Sequence, residues 1–112
     1  MIVGVGVDVL NIKRFRKIVK GNPKILNRIL TENEINLFKD YSDSIIHYAG
    51  RFSLKEAIIK AGKEYLNIES FKDIEILKDE DGKAILMKPK GKIFISISHN
   101  EDYVVSIAVI EK

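Results

Sequence analysis

Glu56 and Lys60 sit four residues apart, the spacing that stacks two side chains along one line of a helix. On a solvated face such a pair adds only ~0.3–0.5 kcal/mol. Here it falls inside "SIIHYAGRFSLKEAIIKAG", residues 44–62, where apolar residues cover almost the whole circumference. A carboxylate and an ammonium on an otherwise buried helix should face a cleft, where they could serve a metal ion and a phosphate. Asp8 raises a related question in "GVGVDVLNIKRF", because a carboxylate in an apolar, strand-like run loses hydration unless something pairs with it. His99 stands where the run "ISISH" gives way to a turn.

These residues need elements to hold them. Val3, Val5, Val7 and Val9 alternate with Gly4, Gly6 and Asp8, which predicts a strand whose valine face is core and whose other face is nearly bare backbone. Glycines inside a strand often mark the close approach of another backbone or a ligand. From Asn11 to Lys20, residues Ile12, Phe15, Ile18 and Val19 follow helical spacing, and Gly21 with Pro23 ends the segment. Lys13, Arg14, Arg16, Lys17 and Lys20 make its other side basic. "TENE", from Thr31, reads as a capping box opening a second helix. Residues 44–62 predict a long central helix, with Phe52, Glu56 and Lys60 on one line and Arg51 and Lys55 on the next. The last third alternates as strands: "DIEIL" and "AILMK" around the turn-rich "KDEDGK", then "IFISIS", the turn "HNED" and "YVVSIAVI". The order predicts an α+β fold, a small antiparallel sheet packed on the long helix in a single domain spanning residues 1–112.

Composition narrows the class. Hydrophobic residues at 46% and charged residues at 31% exclude a disordered chain, and no apolar run approaches the length of a membrane span. Without cysteine there is no disulfide framework and no thiolate metal site, which suits the cytoplasm. The segment after Met1 passes straight into a strand pattern, so no signal peptide is expected. A net charge of +3 is modest, so the placement of the positive residues matters more than their sum. Gly4 and Gly6 begin a G-x-G-x-x-G pattern, but Val9 takes the third place and a dinucleotide fingerprint is rejected. Neither histidine has a partner at metal-ligand spacing.

Taken in order, "GVGVDV", "AGRFSLKEAIIKAG" and "ISISHN" resemble the signature of the holo-acyl-carrier-protein synthases, the short phosphopantetheinyl transferases. Gly4, Gly6 and Asp8 match the opening strand of that family. Arg51, Phe52, Lys55, Glu56, Ala57, Lys60 and Ala61 match its helix motif, and Ser96, Ile97, Ser98 and His99 its closing one. Asn11 stands where similar members have glutamate, "DYSDSIIHYAG" lacks a basic pair found in some, and "KEYLNIES" replaces a glycine-rich turn.

The resemblance implies a phosphopantetheinyl-transferase-like fold. It implies transfer of the 4'-phosphopantetheine arm of coenzyme A to a serine of an apo-acyl carrier protein, in support of fatty acid biosynthesis. In that reading Asp8 and Glu56 hold Mg2+, Glu56 and Lys60 act in catalysis, and Arg51, Lys55, Lys60 and His99 hold coenzyme A. The serine proton goes either to Glu56 or to a water acidified by the metal. The carrier protein would meet the basic surface of Arg14, Lys17, Lys24 and Arg28. The family also implies a homotrimer with sites at the subunit contacts, and the small or mixed faces Gly4–Gly6–Asp8 and Phe94–Ser96–Ser98 suit such packing. The rival is a non-catalytic basic module gripping a carrier protein or nucleic acid. Asp8 and Glu56 argue against nucleic acid, since without metal they would repel its phosphates, and no membrane partner is expected.

Overall fold

The computed structural model describes residues 1–112. In chain order it comprises β1 (Ile2–Asn11), α1 (Ile12–Gly21), a 3-10 turn (Pro23–Ile25) running into the short α2 (Leu26–Ile29), and α3 (Glu32–Phe38). There follow α4 (Ser44–Gly62), a second 3-10 turn (Phe71–Asp73), β2 (Glu75–Lys78), β3 (Ala84–Lys88), β4 (Lys92–His99) and β5 (Tyr103–Glu111). β5 lies between β1 and β4 in an antiparallel three-stranded sheet, and β2 pairs with β3 as a separate hairpin.

The helix starts follow from their caps. Asn11 ends β1 and caps α1, its side chain accepting from the Arg14 N–H at 2.9 Å, which gives this asparagine a structural task. Thr31 and Glu34 complete the expected capping box of α3. Asp43 caps α4 and also takes the Arg16 guanidinium, so α1 is fastened to the beginning of the long helix. One core cluster gathers Ile12, Phe15, Leu30, Phe38 and Tyr48 around α1, α3 and the first half of α4. The other packs Leu54 and Ile58 of the second half against Ile74, Ile76 and Ile110. No helix is long and apolar enough to cross a membrane.

The face of β1 that meets α4 is a correction to the sequence reading. The valine side, expected in the core, is turned away: Val5, Val7 and Val9 are 57%, 54% and 61% exposed. The glycine side meets the helix instead. A Cβ on Gly6 would stand 1.9 Å from the Ala57 carbonyl oxygen, and one on Gly4 1.8 Å from that of Ala61. Strand and helix backbones touch here, and only glycine permits that approach. The exposed valine face continues across the sheet through Val105 and Ile107 to Phe94 and Ser96. The two faces expected to serve subunit packing therefore lie on opposite sides of the sheet. Gly4–Gly6–Asp8 is covered by α4, whereas Phe94–Ser96–Ser98 is bare.

Candidate active site

The close approach of β1 brings Asp8 under the line of α4 that carries Ser53, Glu56 and Lys60. Ser53 Oγ donates to Asp8 Oδ2 at 2.9 Å. Lys60 Nζ donates to Asp8 Oδ1 at 3.2 Å and to the Val7 carbonyl at 3.1 Å. The Asp8 side chain is 12% exposed and that of Lys60 52%, so the acid is fixed and the ammonium can reach outward. Glu56 shares this space. Burial first, and then the Asp8 carboxylate, push its carboxyl above the usual range, with Lys60 pulling the other way.

This donor set fits a hard divalent cation. A carboxylate pressed by burial and by a second carboxylate is relieved by positive charge, and both groups offer oxygen. No third His, Cys, Asp or Glu joins them, so most of the shell of a bound Mg2+ would come from water and phosphate oxygens.

Beside Glu56 lies a cleft of about 390 Å³ walled by Arg28, Lys63, Ser70 and Phe71. It brings two cations to the Glu56 side. Arg28 was expected on the outer basic surface. Lys63 was passed over, although it follows Lys60 by the three residues that keep a helix face. Ser53 was missed as well, and its position three before Glu56 and seven before Lys60 was the signal. Arg14 borders a separate apolar groove of about 340 Å³ with Phe15, Ile18, Ile25 and Phe52, while Lys17 and Lys24 are exposed.

The other expected residues do not gather at Asp8. Lys55, expected near a phosphate, is fully buried, and its Nζ donates to Glu34 Oε1 at 2.6 Å and to the carbonyls of Ile29 at 2.9 Å and Phe71 at 3.1 Å. Its three protons are all engaged, which corrects that assignment. Burial draws the Lys55 pKa down and Glu34 opposes the shift. Arg51 is also buried, donating from Nε and Nη2 to the carbonyls of Ile76 and Leu77 at 3.1 and 2.7 Å, with its guanidinium 4.7 Å from the Phe38 ring centre. It ties α4 to β2 and leaves one edge on a cleft of about 190 Å³ shared with His47, Gly82 and His99. β5 separates His99 on β4 from β1, two strand spacings or ~10 Å. The structure thus brings Asp8, Glu56 and Lys60 together and leaves His99 on the other flank of α4.

Residues 4–108 match a family described as the 4'-phosphopantetheinyl transferase superfamily. The holo-[acyl-carrier-protein] synthase of Anoxybacillus flavithermus is 41% identical over 117 residues, a match covering 100% of this chain and 98% of that protein. That of Thermodesulfovibrio yellowstonii is 42% identical, covering 98% of this chain and 99% of the relative. Among solved structures, the Bacillus anthracis holo-(acyl-carrier-protein) synthase in complex with CoA (3',5'-ADP) superposes with a TM-score of 0.85 at 39% identity, over 98% of this chain and 96% of that one. The Neisseria meningitidis holo-[acyl-carrier-protein] synthase gives 0.86 at 28% identity, over 100% of both.

Proposed function

The chain belongs to the 4'-phosphopantetheinyl transferase superfamily, and we propose that it is a holo-acyl-carrier-protein synthase that moves the 4'-phosphopantetheine arm of coenzyme A onto a serine of an apo-acyl carrier protein. The carrying observation is the meeting of Asp8, Glu56 and Lys60 at the contact of β1 with α4. The serine oxygen forms a bond to the phosphorus that bears the arm. The bond from that phosphorus to the bridging oxygen breaks, and the oxygen leaves with adenosine 3',5'-bisphosphate. Such a transfer needs alignment and charge neutralisation more than covalent help. Lys60, half in solvent, faces the charge that grows on the leaving phosphate. The serine proton goes to Glu56 or to a water acidified by the metal that Asp8 and Glu56 would hold. Mg2+ held by Asp8 and Glu56 supplies further positive charge at the pyrophosphate when bound.

The carrier protein docks on the exposed cations Arg14, Lys17, Lys24 and Arg28 in this reading. Arg28 borders the cleft beside Glu56, and Arg14 the apolar groove beyond it, so an acidic, amphipathic surface fits both. The reaction belongs to the cytoplasm and feeds fatty acid synthesis. The enzyme works as a homotrimer with shared sites, for two reasons. The bare valine face, with Val5, Val7, Val9 and Phe94 each more than half exposed, is a contiguous apolar patch of the kind that marks a protein contact. His99 and Asp8 lie on different flanks of α4, so His99 of one chain reaches coenzyme A bound at Asp8 of another.

Intact-mass measurement of an apo-acyl carrier protein after incubation with coenzyme A, Mg2+ and this protein tests the reading. One phosphopantetheine added per carrier chain is expected, with none when the acceptor serine is replaced by alanine. An unchanged carrier mass over several apo-acyl carrier proteins overturns it.

A further inference from the structure

Ser53 and Ser106 make a buried hydroxyl chain that ends on Asp8. Ser106 stands directly opposite Asp8 in the β1–β5 pair. Its Oγ donates to Ser53 Oγ at 2.8 Å, and Ser53 Oγ donates to Asp8 Oδ2 at 2.9 Å. The direction is forced by chemistry. A carboxylate only accepts, so the single Ser53 proton goes to Asp8, and the bond between the two serines must use the proton of Ser106.

Packing alone does not call for these hydroxyls. Their neighbours in the close contact of β1, β5 and α4 are the small residues Gly4, Gly6, Ala57, Ala61 and Ala108, and Ser53 and Ser106 are 0% and 1% exposed. Two alanines would fill nearly the same space, and for the bond between the two serines alone the loss of both partners together is close to neutral; what the change would take away is the donor to Asp8 Oδ2. What the hydroxyls add is a hold on Asp8. Its Oδ1 meets Lys60, whose side chain is half in solvent, whereas Oδ2 meets a hydroxyl fixed inside the core. The rotation of the carboxylate is therefore set by Ser53, and each bond in the chain polarises the next.

We propose that Ser53 and Ser106 are positioning residues that pre-orient Asp8 for a divalent cation, Ser53 directly and Ser106 through Ser53. The proposal rests on the metal assignment made above for Asp8 and Glu56. Groups that hold a metal ligand in place typically govern 10–100-fold in metal affinity.

The test is Mn2+ binding followed by electron paramagnetic resonance on Ser53→Ala, Ser106→Ala and the double variant, each checked for fold by circular dichroism. Ser53→Ala should weaken Mn2+ about tenfold or more, and Ser106→Ala by a few fold. The double variant should be no weaker than Ser53→Ala, because the second hydroxyl acts only through the first. In the transfer assay the Mg2+ concentration for half-maximal rate should rise in parallel, while KM for coenzyme A at saturating Mg2+ stays at the wild-type value. Mn2+ affinity within twofold of wild type in folded Ser53→Ala overturns the proposal, as does a double variant in which the two losses multiply. Should Ser53→Ala not fold, unchanged affinity in Ser106→Ala overturns it alone. Binding of Mn2+ is read without carrier protein, so a failure here is separate from a wild-type protein that transfers no arm.

Discussion

Two lysines five residues apart on α4 have opposite fates. Lys60 reaches the surface beside Asp8, while Lys55 ends in the core with Glu34, whose second oxygen also accepts the Ile76 N–H at 2.8 Å. Removing one partner of such a buried pair leaves an uncompensated charge, so Lys55→Met should destabilise the fold by about 3–5 kcal/mol in urea unfolding. A loss below about 1 kcal/mol would show that Glu34 finds water instead. Glu56 carries a pH signature. Folding raises its pKa, so its favourable contribution is present below the ordinary glutamate range and is lost as pH rises through the raised value. At neutral pH without divalent cation, Glu56→Gln should melt above wild type, and the gap should close as pH falls into the carboxylate range. A Gln variant that melts lower at neutral pH contradicts the assignment. Asp8, Glu56 and Lys60 stand out as candidates because acids and lysines are conspicuous on apolar elements, and the structure brings the three together. Lys55 was misread for the same reason: a motif position says that a charge is needed, and not whether a phosphate or Glu34 needs it.

At the scale of elements, the contact of β1 with α4 decides where Asp8 stands. Helix bounds were readable from caps and periodicity, and residues 44–62 form α4 as expected. The inward face of β1 was not readable. Alternation says that a face of four valines must be covered, but a helix and a second chain cover it equally well on paper, and the glycine face takes the helix because it lets the backbones touch. Gly6→Ala should therefore act at a distance from its own volume. The added methyl meets the Ala57 carbonyl and cannot be accommodated by a rotamer change, so stability should fall by ~1–3 kcal/mol. Asp8, two residues along, should lose its register with Ser53, and Mn2+ affinity should fall together with the melting temperature. A Gly6→Ala protein with both properties unchanged would mean that β1 has room to shift without moving the acid.

At the scale of the whole molecule, the proposed trimer would build each site from two chains, with Asp8, Glu56 and Lys60 from one and His99 from another. In the proposed trimer the bare sheet face would supply the apolar contact, and a heterologous contact that closed on itself would put an equivalent site at each interface. Asp8→Asn and His99→Ala chains, each with little activity alone, make the most direct test when they are co-expressed and purified as mixed oligomers. Transfer of phosphopantetheine to an apo-acyl carrier protein is then read by intact mass. A shared site predicts that the mixture transfers well above either variant, because some interfaces join an intact Asp8 from one chain to an intact His99 from the next. A mixture no more active than its two components, in oligomers shown to contain both, would contradict the account, since every site would then lie within one chain.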